Sequence, residues 1–255
     1  MKIIIKTEEE IKKIREGGKI LAKILQKVAK HVKPGISTFE LDVYAAKYIK
    51  EAGGKSPFLN YKPEGASYPF PASICISVNQ ELVHGLPKKD KILKNGDIVS
   101  LDLGLEYDGL FTDHAITVPV GKISDKDKKL IEVTGGALEA GIWAACGGAT
   151  VGDVGYAIQS FVNRRFNIIK ELAGHGVGKK LHEDPYIPNY GRAKSGPRLE
   201  PGMIIAIEPI LNTGRDGIVV AEDDWTLETV DGSRGAHFEH TILITDKDPE
   251  IITKI

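Results

Sequence analysis

Four carboxylates sit in stretches too apolar to offer a solvent-facing acid. Asp102 interrupts Ile98-Val99-Ser100-Leu101-Asp102-Leu103, and Asp113 lies within Leu110-Phe111-Thr112-Asp113-His114. Glu208 ends the run Met203-Ile204-Ile205-Ala206-Ile207 ahead of Pro209-Ile210, and Glu239 is embedded in His237-Phe238-Glu239-His240-Thr241-Ile242-Leu243-Ile244. A buried carboxylate loses hydration and like charges repel, so such a group requires a shared proton or a bound cation. Backbone amides can satisfy one such acid; four, in four separate core-like strands, argue for the cation.

His175 lies in Ala173-Gly174-His175-Gly176-Val177-Gly178-Lys179-Lys180-Leu181-His182-Glu183-Asp184-Pro185. Its flanking glycines leave the imidazole unhindered, as a metal ligand or catalytic base requires. A phosphate-cradling loop is the competing reading. The Walker spacing is absent, because no Gly stands five before Gly178 and neither Ser nor Thr follows Lys179. Four carboxylates and one imidazole form a hard, mostly oxygen donor set. Magnesium and calcium usually take no imidazole, and structural zinc prefers thiolates. The four negative charges match two divalent cations, which suits a dinuclear manganese, iron, cobalt or zinc centre with ions roughly 3.5–4 Å apart, built for hydrolysis.

The elements around these residues must bring them together. Asp108-Gly109 reads as a two-residue hairpin turn between strands Asp97–Gly104 and Leu110–Val120, which puts Asp113 opposite Gly104 and both aspartates on one face. Further strands are expected at Ile74–Val78, Met203–Leu211, Gly217–Ala221, Trp225–Val230 and His237–Thr245. Helical periodicity covers Glu8–Lys33, the stretch after Ser37 to Glu51, Asp125–Cys146 and Val154–Arg165. Gly35-Ile36-Ser37 and Gly148-Ala149-Thr150 open similar helices at a constant offset of 113 residues. The echo reads as an internal duplication, with helices covering one face of a strongly curved antiparallel sheet. No linker divides the halves, so one α+β domain is expected.

The 255 residues carry 34 basic and 35 acidic side chains for a net charge of −1, with 42 % hydrophobic and 27 % charged residues. This is a globular composition with no global field for nucleic acid or anionic lipid. Two cysteines cannot build a disulfide framework and fit a reducing cytoplasm. The start, Met1 to Lys6, has no room for a signal peptide, and no run reaches the roughly 18 apolar residues of a membrane span. A cytoplasmic protein is expected, with no membrane or sequence-specific nucleic-acid partner.

Taken in order along nearly the whole chain, the motifs resemble the type I methionine aminopeptidases of the pita-bread metallopeptidase family. They are Ser73-Ile74-Cys75-Ile76-Ser77-Val78-Asn79, His84-Gly85-Leu86-Pro87, the Asp102/Asp113 pair, and His175-Gly176-Val177-Gly178 with His182-Glu183-Asp184-Pro185. Gly202-Met203 with Ile207-Glu208-Pro209, and Phe238-Glu239-His240-Thr241, complete the set. The resemblance implies a pita-bread fold with pseudo-twofold duplication and a single catalytic domain over 1–255. It implies two divalent cations held by Asp102, Asp113, His175, Glu208 and Glu239, with Asp113 and Glu239 bridging. The implied reaction removes the N-terminal methionine of nascent proteins when the second residue is small and uncharged.

On that reading a hydroxide bridging the ions attacks the first peptide bond, and Glu208 carries the proton to the leaving amine. His84 and His182 donate hydrogen bonds to the substrate, and Phe70, Cys75 and Trp225 line the methionine pocket. The sequence departs from the usual pattern at three places: Leu181 replaces a frequent phenylalanine, Ser67 stands where an aromatic often lines the pocket, and Gly235-Ala236-His237 replaces Ser-Ala-Gln. An altered pocket is therefore expected. A monomer is expected, and Lys88, Lys89, Lys91, Lys94, Lys179 and Lys180 either meet the ribosome transiently or are plain solvated loop residues. The rivals are an Xaa-Pro aminopeptidase or prolidase, which shares the ligand set, and a non-catalytic binding module on the same scaffold.

Overall fold

The computed structural model describes residues 3–255; Met1 and Lys2, the first residues of the expected domain and of the expected start, lie outside the described residues. Helix α1 (Glu8–Ala29) starts at a capping box in which Thr7 and Glu10 satisfy each other's backbone amides. It ends four residues earlier than its periodicity suggests. The ring of Pro34 would clash with the carbonyl of residue 30 in a continued helix, so the helix ends at Ala29, capped by Lys30, whose backbone is still right-handed. Helix α2 (Thr38–Glu51) begins directly after Ser37, as expected, at a capping box that Ser37 forms with Glu40.

Strands β1 (Cys75–Val78), β2 (Glu81–Val83), β3 (Ile98–Tyr107) and β4 (Leu110–Pro119) follow, and then helices α3 (Asp125–Ala144) and α4 (Val151–Val162). Helix α4 starts three residues before the expected Val154, because Thr150 and Asp153 form a capping box equivalent to that of Ser37 and Glu40. The remaining strands are β5 (Asn167–Ile168), β6 (Ala173–Gly176), β7 (Glu183–Pro188), β8 (Ile204–Ile207), β9 (Ile210–Asn212), β10 (Ile218–Val220), β11 (Leu227–Thr229), β12 (Gly235–His237), β13 (Glu239–Leu243) and β14 (Glu250–Ile251).

The main sheet is antiparallel throughout and runs β1-β3-β4-β13-β8-β6-β7, with β14 beside β13. Two three-stranded sheets, β10-β11-β2 and β12-β9-β5, extend it. The two long runs expected as Met203–Leu211 and His237–Thr245 are each broken. Pro209 has no amide to give a ladder, so β8 stops at Ile207 and β9 resumes at Ile210. Opposite it, β12 and β13 part at Phe238. Glu208 and Glu239 both stand at these junctions.

Two helix pairs cover the outer face, each over its own apolar cluster. Leu21, Leu25, Leu41 and Ile49 pack with Leu101, Leu103 and Leu105 in one half. Leu130, Ile142, Val154 and Ile158 pack with Ile205, Ile207 and Ile242 in the other. Each half buries one amphipathic helix pair on one flank of the sheet, which leaves the opposite, concave face free for polar residues. Among the described residues no helix is long and apolar enough to cross a membrane.

Candidate metal centre

Strand register places the acids. Tyr107 pairs with Leu110 around the Asp108-Gly109 turn, so Gly104 faces Asp113 and Asp102 faces Ala115. Glu239 also pairs with Ala115, from the other side of β4. His240 pairs with Ile207, which sets Glu208 one residue beyond the end of that ladder. His175 pairs with Ala206 on the far side of β8. Five chain segments remote in sequence thus meet at the middle of one curved sheet, and all five side chains line one cavity of about 280 Å³.

The glycines beside His175 serve a purpose other than clearing space for its imidazole. A Cβ on Gly174 would lie 2.2 Å from the carbonyl oxygen of Ala206, and one on Gly176 would lie 2.3 Å from that of Asp184. They let β6 fit between β8 and β7. His175 Nδ1 lies 2.9 Å from the Gly176 carbonyl oxygen. A carbonyl only accepts, so the proton is on Nδ1 and Nε2 keeps a free lone pair. That Nε2 lies 3.6 Å from Glu208 Oε1.

The electrostatics are those of an acid cluster lacking counter-charge. Burial, then the neighbouring Asp113 and Glu208 charges, holds the Asp102 carboxyl well above the usual range. Burial and Glu208 push Asp113 up to about 8, and burial pushes Glu208 up to about 8. Glu239 is raised well above its ordinary value by burial and by all three other acids. Asp102 Oδ1 and Glu239 Oε1 are buried with no hydrogen-bond partner among the described residues. Donor atoms of Asp113, His175 and Glu239 lie within 4.8 Å of one another, close enough to surround an ion. Carboxylates that cannot all ionise, orphaned oxygens and a lone-pair-bearing imidazole fit divalent cations. Among the described residues no arginine or lysine lines the cavity wall to answer that charge.

The cavity wall also carries Phe58, Phe70, Cys75, Leu181 and Trp225. Phe70 and Trp225 meet edge to face with centroids 5.2 Å apart. Burial, and then the acids, raises the Cys75 thiol well above its ordinary pKa, so it stays protonated. His84 and His182 face the same cavity and an adjoining cleft of about 750 Å³. His84 holds a left-handed backbone (φ +57°), a strained conformation that recurs where a side chain must be aimed. Burial lowers His84 to about 4 and also lowers His182, so both rings are neutral at physiological pH.

Several lining residues, Phe58 among them, went unmarked in the sequence, and two of these make polar contacts at the site. Ser67 is exposed and absent from the wall, and Tyr61 lines it instead, with its hydroxyl 3.1 Å from His182 Nδ1. Tyr61 lies in a Pro- and Gly-rich loop with no periodicity to mark its direction. His237 is the other: buried, lining the cleft, with Nε2 3.4 Å from Glu208 Oε2. Its signal was the departure at Gly235-Ala236-His237. Of the lysines considered for ribosome contact, Lys88, Lys91 and Lys179 are paired with Asp223, Glu81 and Glu10.

The sequence matches the family model described as Metallopeptidase family M24 over residues 12–246. It is 48 % identical over 254 residues to methionine aminopeptidase 1 of Bacillus subtilis (strain 168), covering 99 % of this chain and 100 % of that one. It is 46 % identical over 258 residues to the methionine aminopeptidase of Aquifex aeolicus (strain VF5), covering 100 % of both. The crystal structure of a methionine aminopeptidase from Thermotoga maritima superposes with a TM-score of 0.95 at 45 % identity, covering 100 % of both chains. The expected architecture, a pita-bread fold of α+β class with helices outside a curled antiparallel sheet, is the one observed.

Proposed function

The chain belongs to metallopeptidase family M24, and we propose that it is a methionine aminopeptidase of the type I class. On this reading residues 1–255 act as one cytoplasmic, monomeric catalytic domain. It removes the N-terminal methionine of nascent proteins and prefers a small, uncharged second residue. One observation carries the reading: a single cavity of about 280 Å³ is lined both by the five candidate ligands and by the apolar residues Phe70, Cys75 and Trp225. The bond to be cut and the side chain to be recognised then share one chamber.

Asp102, Asp113, His175, Glu208 and Glu239 would hold two divalent cations, drawn from cobalt, manganese, iron or zinc. When bound, such ions neutralise the acids and make a hydroxide nucleophile available near neutral pH. The protein's own groups do the rest. A chain end offers a free α-amine, a donor that the neutralised site would accept and that an internal peptide bond lacks. Glu208 takes a proton from water and returns it to the leaving amine.

His84 and His182 are neutral and can each donate a ring N–H to the substrate carbonyl oxygen as charge develops there. Tyr61 fixes the His182 ring through Nδ1 and leaves Nε2 for the substrate. The protonated Cys75 thiol and the aromatic edges suit a thioether. In the adjoining cleft Val83, Leu172 and Ile210 form apolar walls, against which a charged second side chain would lose hydration.

Incubating purified protein with Met-Ala-Ser, Met-Lys-Ser and Ala-Pro-Ser across manganese, iron, cobalt and zinc tests the reading. Methionine release from Met-Ala-Ser, slower from Met-Lys-Ser and absent from Ala-Pro-Ser, is expected. Cleavage of Ala-Pro-Ser alone would make the chain an Xaa-Pro peptidase. No cleavage, with less than one metal equivalent bound, would make it a non-catalytic binder.

A further inference from the structure

His237 is 1 % exposed, yet neither of its ring nitrogens has a hydrogen-bond partner among the described residues. Its backbone is clamped from both sides by one hydroxyl. The His237 N–H donates to Thr117 Oγ1 at 2.9 Å, and Thr117 Oγ1 donates to the His237 carbonyl at 2.8 Å. The Thr117 hydroxyl has one proton, so Ser100 must donate the 2.8 Å bond between them. This buried relay fixes where the ring starts, and the ring extends toward Glu208.

The Glu208 carboxylate therefore lies between two imidazoles, His175 at 3.6 Å from Oε1 and His237 at 3.4 Å from Oε2. The two differ in their protons. His175 Nδ1–H is committed to the Gly176 carbonyl, so a lone pair faces Oε1. No carbonyl claims the His237 Nδ1, so its proton is free to sit on Nε2, facing Oε2. At 3.4 Å the pair is a few tenths of an ångström too long for a hydrogen bond, as side-chain pairs at unliganded sites often are.

We propose that His237 is a positioning residue: its Nε2–H donates to Glu208 Oε2 and holds the carboxylate with Oε1 turned toward His175 and a shared cation. The inference rests on the reading of Glu208 as a metal ligand. Such outer partners fix the orientation of a ligand and add to its affinity without touching the ion. A glutamine, usual at this position in the family that the motifs resemble, carries an N–H donor of its own, so the role needs a donor rather than an imidazole.

Calorimetric titration of manganese into metal-free protein tests it, with His237→Leu, His237→Gln, Glu208→Ala and the Leu/Ala double variant. Leucine should weaken manganese binding about 10–100-fold, glutamine should hold it within about threefold, and leucine should add nothing once Glu208 is alanine. Normal binding by Glu208→Ala would remove the ligand reading and the inference with it. Weakened binding by Glu208→Ala beside normal binding by His237→Leu would overturn the inference alone. So would equal losses for leucine and glutamine, or a full additional loss in the double variant. Should His237→Leu not fold, long-range 1H–15N NMR of the wild-type ring decides. An Nε2–H tautomer is expected, and an Nδ1–H tautomer refutes the role.

Discussion

Cys75 and Asp102 are direct partners across the β1–β3 ladder. A residue of the apolar cavity wall and a candidate metal ligand therefore sit one inter-strand step apart, on two backbones locked to each other. Recognition and chemistry are adjacent because the ladder makes them so, without any loop to adjust.

Enlarging Cys75 should separate the two. In Cys75→Phe the ring fills space meant for a methionine side chain, and kcat/KM for Met-Ala-Ser should fall by roughly tenfold or more. Manganese affinity, measured by calorimetry, should be unchanged. Unaltered kinetics would mean that the side chain binds elsewhere.

Neutralising one central acid should act in opposite directions on two observables. Asp113→Asn removes a charge from a cluster whose members raise one another's pKa. The metal-free protein should melt several degrees higher, while activity is abolished and bound metal falls below two equivalents. A lower melting temperature in the absence of metal would contradict the repulsion argument.

Metal-free stability should fall as pH rises. Asp113 and Glu208 are raised to about 8 in the fold. Raised carboxyl pKa values contribute stability below the unfolded value, and that contribution is lost as pH climbs through the folded one. The buried histidines, lowered to about 3 or 4, oppose this only below their unfolded pKa near 6.5. Between about 6.5 and 8 the acids act alone, and thermal melts in chelator should drop across that window. Saturating manganese should flatten the slope; an equal slope with and without manganese would count against cation neutralisation.

The Asp102/Asp113 geometry was legible because an even-length hairpin dictates which side chains share a face, whatever surrounds it. The start of helix α2 after Ser37 was legible for the same local reason, whereas the equivalent capping box of Thr150 and Asp153 was not read and that helix was expected to begin at Val154. What stayed hidden depended on contacts between distant segments. The breaks at Pro209 and Phe238 lie inside continuous apolar runs, and nothing local marks Phe238 as a break. The glycines beside His175 fit strands that approach from Ala206 and Asp184, so their purpose cannot be seen from the loop alone. Tyr61 and His237 reach the cavity only through a loop fold and a strand pairing.

His84→Ala should lower kcat by roughly 100–1000-fold with manganese still bound at wild-type affinity, because it removes a donor and no ligand. Alanine also tolerates φ +57° poorly, so His84→Asn, which suits that backbone, separates strain from chemistry. Lost manganese in either variant would make His84 a ligand.

Crystals grown with manganese and measured at its absorption edge bear most directly on the claim that four acids and one histidine converge to hold paired cations. Two anomalous peaks roughly 3.5–4 Å apart, both touched by Asp113 and Glu239, are predicted. A single peak, none, or peaks away from these five side chains would contradict it.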